Sequence, residues 1–361
     1  MKRKNLYGLL MRAGVMLEAA ALICLIATGV TSRKGKEEET KQTSAGGIWE
    51  VLEKHQRGEI VETQSGDYIK WVDFTVPADA LTKAYQYDVD SYGQEIHLNW
   101  IELLAYAAAR QGGDFGKAAM KNIDECAAEL QKGKTMEILT EKLKYYPYYL
   151  EAYTAVLGGF VGEYEMDGEK RYGLKAYSPI AAGFYYTDYD DFGASRSYGY
   201  ARPHLGHDMM GQIGTPIIAA ESGYVEALGW NQYGGWRIGI RSFDKKRYYY
   251  YAHLRQNYPY AENLKEGDIV SAGDVIGYMG HTGYSAKENV NNIETVHLHF
   301  GLELVFDESQ KESNNEIWIN CYELTKFLAK NRSEVYKVEG TKEWKRVTDI
   351  KLPEVENANQ S

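Results

Sequence analysis

The chain has 361 residues, 44% of them hydrophobic, with 41 basic against 51 acidic side chains and a formal net charge of −10. That length allows two domains plus a tail, and that apolar content allows full cores. The acidic balance and the lack of a basic stripe exclude a nucleic-acid partner, and three cysteines without CxxC spacing exclude a disulfide framework.

In chain order, MKRK is followed by Ala13 to Val30, an 18-residue, mostly apolar stretch interrupted by Glu18, near the minimum that spans a bilayer. Residues 1–32 read as a signal anchor. The small residues Ala27 and Gly29 also suit the −3 and −1 positions of a cleavage site. The expected location is the cell membrane, single-pass with the bulk of the chain outside the cytoplasm, or alternatively the cell wall after secretion. Residues 33–47, RKGKEEETKQTSAGG, have almost nothing to bury and read as a flexible linker.

From 48 to about 162 the pattern is mainly helical. WIELLAYAAARQGG puts Trp100, Leu103, Leu104 and Ala107 on one face, and GKAAMKNIDECAAELQKG and YYPYYLEAYTAVLGGFVG follow as further helical runs. No catalytic constellation is visible there, and the segment reads as a helical spacer or docking module. Residues 163–306 form a β-rich, glycine- and tyrosine-rich domain with a core at about 198–306, entered through loops that end in DDFGASRSYGYAR. The extension 307–361 holds a short strand or turn, a helix and a polar end expected to be mobile. The fold class expected is α+β: N-terminal anchor, helical module, then a mostly antiparallel β domain. Cys126 and Cys321 read as buried free thiols, and His55 and His97 as surface or capping residues.

Six of the eight histidines fall between residues 204 and 299, in HLGHD (His204 to Asp208), YYYYAHL (Tyr248 to Leu254), VHLHF (Val296 to Phe300) and the isolated His281. Imidazole and carboxylate ligate Zn²⁺, and a catalytic site keeps about three protein ligands with a fourth position for water. Alternation along a strand sends His297 and His299 to one face and Leu298 to the core. By the same rule His253 shares a face with Tyr249 and Tyr251. Pro203 and Gly206 disfavour a helix between His204 and Asp208, so a looped or extended segment aims both at one point.

HLGHD, YAHL and HLHF in this order resemble the three motifs of the lysostaphin and LytM-type zinc endopeptidases, which cleave the peptide part of bacterial peptidoglycan. The likeness runs from about Tyr198 to Phe306 and includes GTPIIAAESGYVEALGW and LKEGDIVSAGDVIGYMGHTGYS. It implies that His204, Asp208 and His299 hold one zinc ion per chain. It also implies that His253 and His297 act as catalytic histidines that orient or deprotonate the attacking water and stabilise the tetrahedral intermediate. Two departures stand out: His207 occupies a position more often aliphatic, where it either competes as a ligand or faces away, and the stretch from Ala286 to Thr295 is longer than usual.

The function implied is a zinc metalloendopeptidase acting on peptidoglycan peptides, with contact to the membrane through the N-terminal segment. The alternative is a scaffold or binding protein of the cell envelope or of sporulation, with envelope protein partners, that keeps the fold and the zinc site. A weaker third reading gives the helical module its own wall-binding or glycan-cleaving role.

Overall fold

The structure, a computed structural model, describes residues 74–197, 201–311 and 316–360. The expected anchor (1–32), the linker (33–47) and the first part of the helical module (48–73) lie outside the described residues. Among the described residues, no helix is long and apolar enough to cross a membrane.

Five helices come first: α1 (Ala78–Ser91), α2 (Trp100–Gln111), α3 (Lys117–Gln131), α4 (Met136–Thr140) and α5 (Tyr146–Leu157). Sequence chemistry sets their ends. Asn99 caps α2 by accepting from the Ile101 and Glu102 amides at 2.9 and 3.2 Å, and Gly112 closes it at φ 63°, a left-handed conformation glycine adopts without penalty. On α3 the buried Ala119, Ile123, Cys126, Ala127 and Leu130 recur at helical spacing.

The strands are β1 (Val161–Met166), β2 (Glu169–Leu174), β3 (Thr187–Asp188), β4 (Ser195–Ser197), β5 (Ala201–Pro203), β6 (His207–Met210), β7 (Pro216–Ile218), β8 (Gly223–Asn231), β9 (Gly235–Ser242), β10 (Arg247–Ala252), β11 (Ile269–Val270), β12 (Val275–Tyr278), β13 (His297–Leu304), β14 (Ile317–Ile319), β15 (Val335–Lys337), β16 (Trp344–Arg346) and β17 (Ile350–Lys351). Helices α6 (Tyr322–Leu328) and α7 (Pro353–Gln360) complete the chain. The main sheet runs β11-β8-β9-β10-β13-β6-β3, with β14 also on β13, and its pairings are antiparallel.

Two stretches depart from expectation. The approach read as loops begins with the hairpin β1–β2, whose two-residue turn places Asp167 at φ 52° and Gly168 at φ 83°. Asp-Gly is the preferred pair for such a turn, because both residues need positive φ. The polar C-terminal end, expected to be mobile, is tied down. β17 pairs with β1, β15 with β16, and Glu343 accepts hydrogen bonds from the Tyr258 and Tyr278 hydroxyls.

Helices and main sheet share one hydrophobic core, in which Leu103, Leu104, Tyr153 and Val156 join Ile240, Tyr249, Phe300 and Leu302. A buried ion pair crosses that contact. The Arg247 guanidinium donates to Glu221 at 2.8 and 2.9 Å and to the Ala155 carbonyl at 3.0 Å, while the Tyr249 hydroxyl donates to Glu221 at 2.6 Å. The C-terminal helix joins the same assembly: Glu323 of α6 accepts from the Ala78 amide at 2.7 Å, supplying the first turn of α1 with the cap that Pro77 cannot.

Candidate metal centre

Strand register assembles the site. In the β13–β6 pairing His299 lies opposite Asp208, and on its other side, across the β13–β10 pairing, it faces Ala252. His204 precedes β6, its backbone pinned to the loop before β4: its amide donates to Ala194 at 2.9 Å and its carbonyl accepts from Gly193 at 2.7 Å. Three donor atoms therefore meet. His204 Nε2 is 2.9 Å from Asp208 Oδ1, His299 Nδ1 is 2.9 Å from the same oxygen, and the two nitrogens are 3.0 Å apart. Gly206 makes the approach possible, since a Cβ there would fall 2.5 Å from His299 Cε1.

The surroundings settle which atoms carry protons. His204 Nδ1 faces only acceptors, the Asp191 carbonyl at 3.4 Å and its carboxylate at 3.1 Å, the latter off the N–H direction. Nδ1 thus keeps its hydrogen in either charge state, and Nε2, which faces Asp208 and His299, donates to the carboxylate when protonated and offers a lone pair to an ion when that proton is lost. Burial opposes charge on Asp208, but the hydrogen bonds from His204 and His299 outweigh it and hold the carboxyl far below its usual range. Burial likewise works against a charged His204, yet the Asp208 hydrogen bond and the Asp208 and Asp191 charges raise its pKa. Burial pushes His299 down despite Asp208. Arg196 stands behind the cluster, paired with Asp191 and 3.5 Å from Asp208 Oδ2.

Two further imidazoles border the triad. His297 shares the groove face of β13 with His299, while Leu298 is fully buried on the other face as alternation requires. His297 Nδ1 lies 2.8 Å from the Thr295 carbonyl, and Nε2 lies 3.7 Å from Asp208. His253 reaches the site by a different route from the one expected. Tyr249 and Tyr251 are buried in the core and the groove side of β10 carries Tyr250 and Ala252, so strict alternation would have sent residue 253 inward. His253 follows the last strand residue at φ 62°. This left-handed conformation, costly for a non-glycine residue, breaks the two-residue alternation and swings the ring into the groove. Its Nδ1 lies 3.0 Å from the Thr282 carbonyl, and its ring centroid is 4.6 Å from that of His297. Burial first, then the neighbouring His297 and His299, lower its pKa well below the ordinary imidazole value.

His207 faces away. Its Nε2 sits 3.0 Å from Asp188 Oδ2, joining β6 to β3, and its ring packs edge-on to Tyr322. His281 is also structural, 2.7 Å from the Ile293 carbonyl. His97 pairs with the buried Asp88 at 3.0 Å, away from this site, and the two described cysteines are free and buried. Asparagines pin the long loop: Asn289 accepts from Trp236 Nε1 at 2.9 Å and Asn292 donates to the Tyr284 carbonyl at 2.7 Å.

The triad, His253 and His297 line a groove of about 1530 Å³ together with Arg196, Arg202, Tyr233, Tyr284 and Trp318. Sequence reading passed over these five and Asp191, since no spacing rule ties them to the histidines. The triad could hold a metal ion. Its edges approach the ~3.3 Å separation of tetrahedral ligands about 2.0 to 2.1 Å from zinc, and two imidazole nitrogens with one carboxylate oxygen form a zinc-type donor set.

Fold and site define a β domain of the lysostaphin and LytM type. Residues 202–314 match Peptidase family M23, so the chain carries a domain of that family. It is similar to the L-Ala--D-Glu endopeptidase of Bacillus subtilis (strain 168), 40% identical over 119 residues that make up 32% of this chain and 35% of that relative. Lysostaphin of Staphylococcus simulans is 40% identical over 98 residues, 27% of this chain and 17% of that protein. The crystallised catalytic domain of the same peptidase is 31% identical, with 39% of this chain and 92% of that chain covered and a TM-score of 0.30. The chain thus spans about a third or less of the length of these curated relatives.

Proposed function

We propose that the protein is a zinc-dependent metalloendopeptidase that cleaves peptide cross-links of bacterial peptidoglycan. One observation carries the reading: the donor atoms of His204, Asp208 and His299 lie 2.9 to 3.0 Å apart in a groove beside His253 and His297. The names of the relatives, L-Ala--D-Glu endopeptidase and lysostaphin, support the substrate class.

His204, Asp208 and His299 would hold the ion, which supplies Lewis acidity and an activated water at neutral pH. His204 is fixed for that task by Asp191 behind it. His253 is uncharged at neutral pH and accepts the proton of the attacking water. His297 orients that water and, once protonated, donates to the developing oxyanion. The left-handed backbone of His253 holds the base in place against its strand's alternation, a strain of about 1 to 3 kcal/mol of the kind kept at functional sites. The reading also places the peptidase domain outside the cytoplasm, tethered at the membrane by residues 1–32 or released into the wall.

The test is clearing of purified cell walls by the full chain before and after chelation, with zinc restored. His253→Ala should keep about one zinc per chain and lose about 10²-fold or more in turnover. Clearing indifferent to chelation, or parental turnover in His253→Ala, rejects the mechanism. Tight wall or partner binding without hydrolysis would instead favour a scaffold.

A further inference from the structure

Three arginines line the groove, Arg196, Arg202 and Arg237, and the two that precede His204 in sequence stand in opposite circumstances. Arg196 is neutralised by Asp191 and lies 3.5 Å from Asp208 Oδ2. Arg202, two residues before His204, has no carboxylate partner among the described residues. It is nonetheless held in place. Its Cζ lies 4.8 Å from the Tyr233 ring centroid and 5.5 Å from that of Tyr284, and its Nη2 donates to the Tyr284 hydroxyl at 3.2 Å.

The clamp itself is built into the backbone. The Tyr284 and Ser285 amides donate to the Tyr233 and Gln232 carbonyls at 3.4 and 2.9 Å. Gly283 sits at φ 126°, where a Cβ would fall 2.6 Å from the Tyr233 carbonyl oxygen. Tyr284 is itself left-handed at φ 47°, and its ring lies 6.1 Å edge-on from His253. The guanidinium is therefore one aromatic ring away from the proposed base.

A guanidinium carries five N–H donors, and the tyrosine hydroxyl takes one. Aromatic faces stabilise the cation and limit its freedom without neutralising it, leaving a preorganised fork that matches a carboxylate. A glutamyl residue linked through one carboxyl group keeps its other carboxylate free. We infer that Arg202, clamped by Tyr233 and Tyr284, binds a free carboxylate of the peptide substrate and makes the enzyme discriminate against the corresponding carboxamide. This rests on the endopeptidase reading above and names what its groove selects.

The test uses the zinc-loaded full chain and three synthetic wall peptides: one with glutamyl and C-terminal carboxylates free, one amidated at the glutamyl carboxylate, and one amidated at the C-terminus. Binding of the same peptides to His253→Ala, followed by calorimetry, gives a readout independent of turnover. One of the two amides should be worse than the free acid by about 10- to 100-fold in kcat/KM and in affinity, and which one it is identifies the carboxylate read. Arg202→Gln should shrink that ratio to about threefold or less. Arg202→Lys, which keeps charge but loses the planar fork, should fall between, and it serves if the glutamine variant misfolds. Equal handling of all three peptides by the parent, or an unchanged ratio in both variants, overturns the subsite while leaving the endopeptidase reading intact. If no peptide is cleaved yet the acid still binds better in an Arg202-dependent way, the endopeptidase reading fails and the subsite stands.

Discussion

Gly206 offers the sharpest test of how the donor triangle is built. In Gly206→Ala the new methyl would lie 2.5 Å from His299 Cε1, 2.6 Å from its Nε2 and 3.0 Å from the Phe300 carbonyl oxygen. Carbon pairs rest at about 3.5 to 4.0 Å, and the Phe300 carbonyl belongs to a central strand that cannot retreat, so the imidazole must move by about 1 Å. Nδ1 on that ring forms two sides of the triangle, at 2.9 and 3.0 Å. Metal sites tolerate about 0.2 Å in ligand distance, so the forced shift is roughly five times the tolerance. Zinc affinity should drop by about 10²-fold or more, turnover should drop about as far because a misplacement of 1 Å costs about 10², and the metal-free protein should lose only about 1 to 3 kcal/mol from overpacking. Competition with a chromophoric chelator measures the first and urea unfolding of chelator-treated protein the last. Zinc binding within threefold of the parent, in a variant that still folds, would refute the argument that Gly206 is required for His299 to reach Asp208.

Arg247→Met should destabilise the protein by about 3 to 5 kcal/mol, because it strands Glu221 as an uncompensated buried charge. Urea unfolding reads this, and a loss below about 1 kcal/mol would mean that the pair does not couple helices to sheet. Asp191→Ala removes the carboxylate 3.1 Å from His204 Nδ1 while leaving the backbone carbonyl that accepts its hydrogen, so zinc affinity should weaken by about 10-fold, and an unchanged chelator-competition curve contradicts a role for that carboxylate in holding the ligand. Burial pushes the Cys126 and Cys321 thiols up to about 12. Raised values keep both protonated at pH 8, so iodoacetamide should label neither in the native state and both after denaturation. Peptide mapping by mass spectrometry checks this, and native labelling of either at the rate of a free thiol would contradict the burial.

Much of the site was legible because its chemistry is local. HLGHD, YAHL and HLHF carry rare residue types at short spacings, and two-residue alternation correctly put His297 and His299 on one face with Leu298 in the core. The helical runs at 100–113 and 117–131 announced themselves by apolar periodicity. The hairpin β1–β2 escaped notice although Asp167-Gly168 was its signal, because glycine and tyrosine richness was read as loop. His253 lines the groove by a different geometry from the one expected: alternation predicts the core face, and only its left-handed φ of 62° brings it to the groove.

Residue types and short-range periodicity thus determined by themselves that a histidine and aspartate cluster sits in a β-rich domain preceded by helices. Tertiary structure alone decided that His207 turns away to Asp188, that Asp191 stands behind His204, and that Tyr233 and Tyr284 from separate loops close on Arg202. Each of these depends on contacts between segments up to about 80 residues apart in sequence. Such contacts arise from strand register and loop packing, which leave no periodic trace in the local sequence.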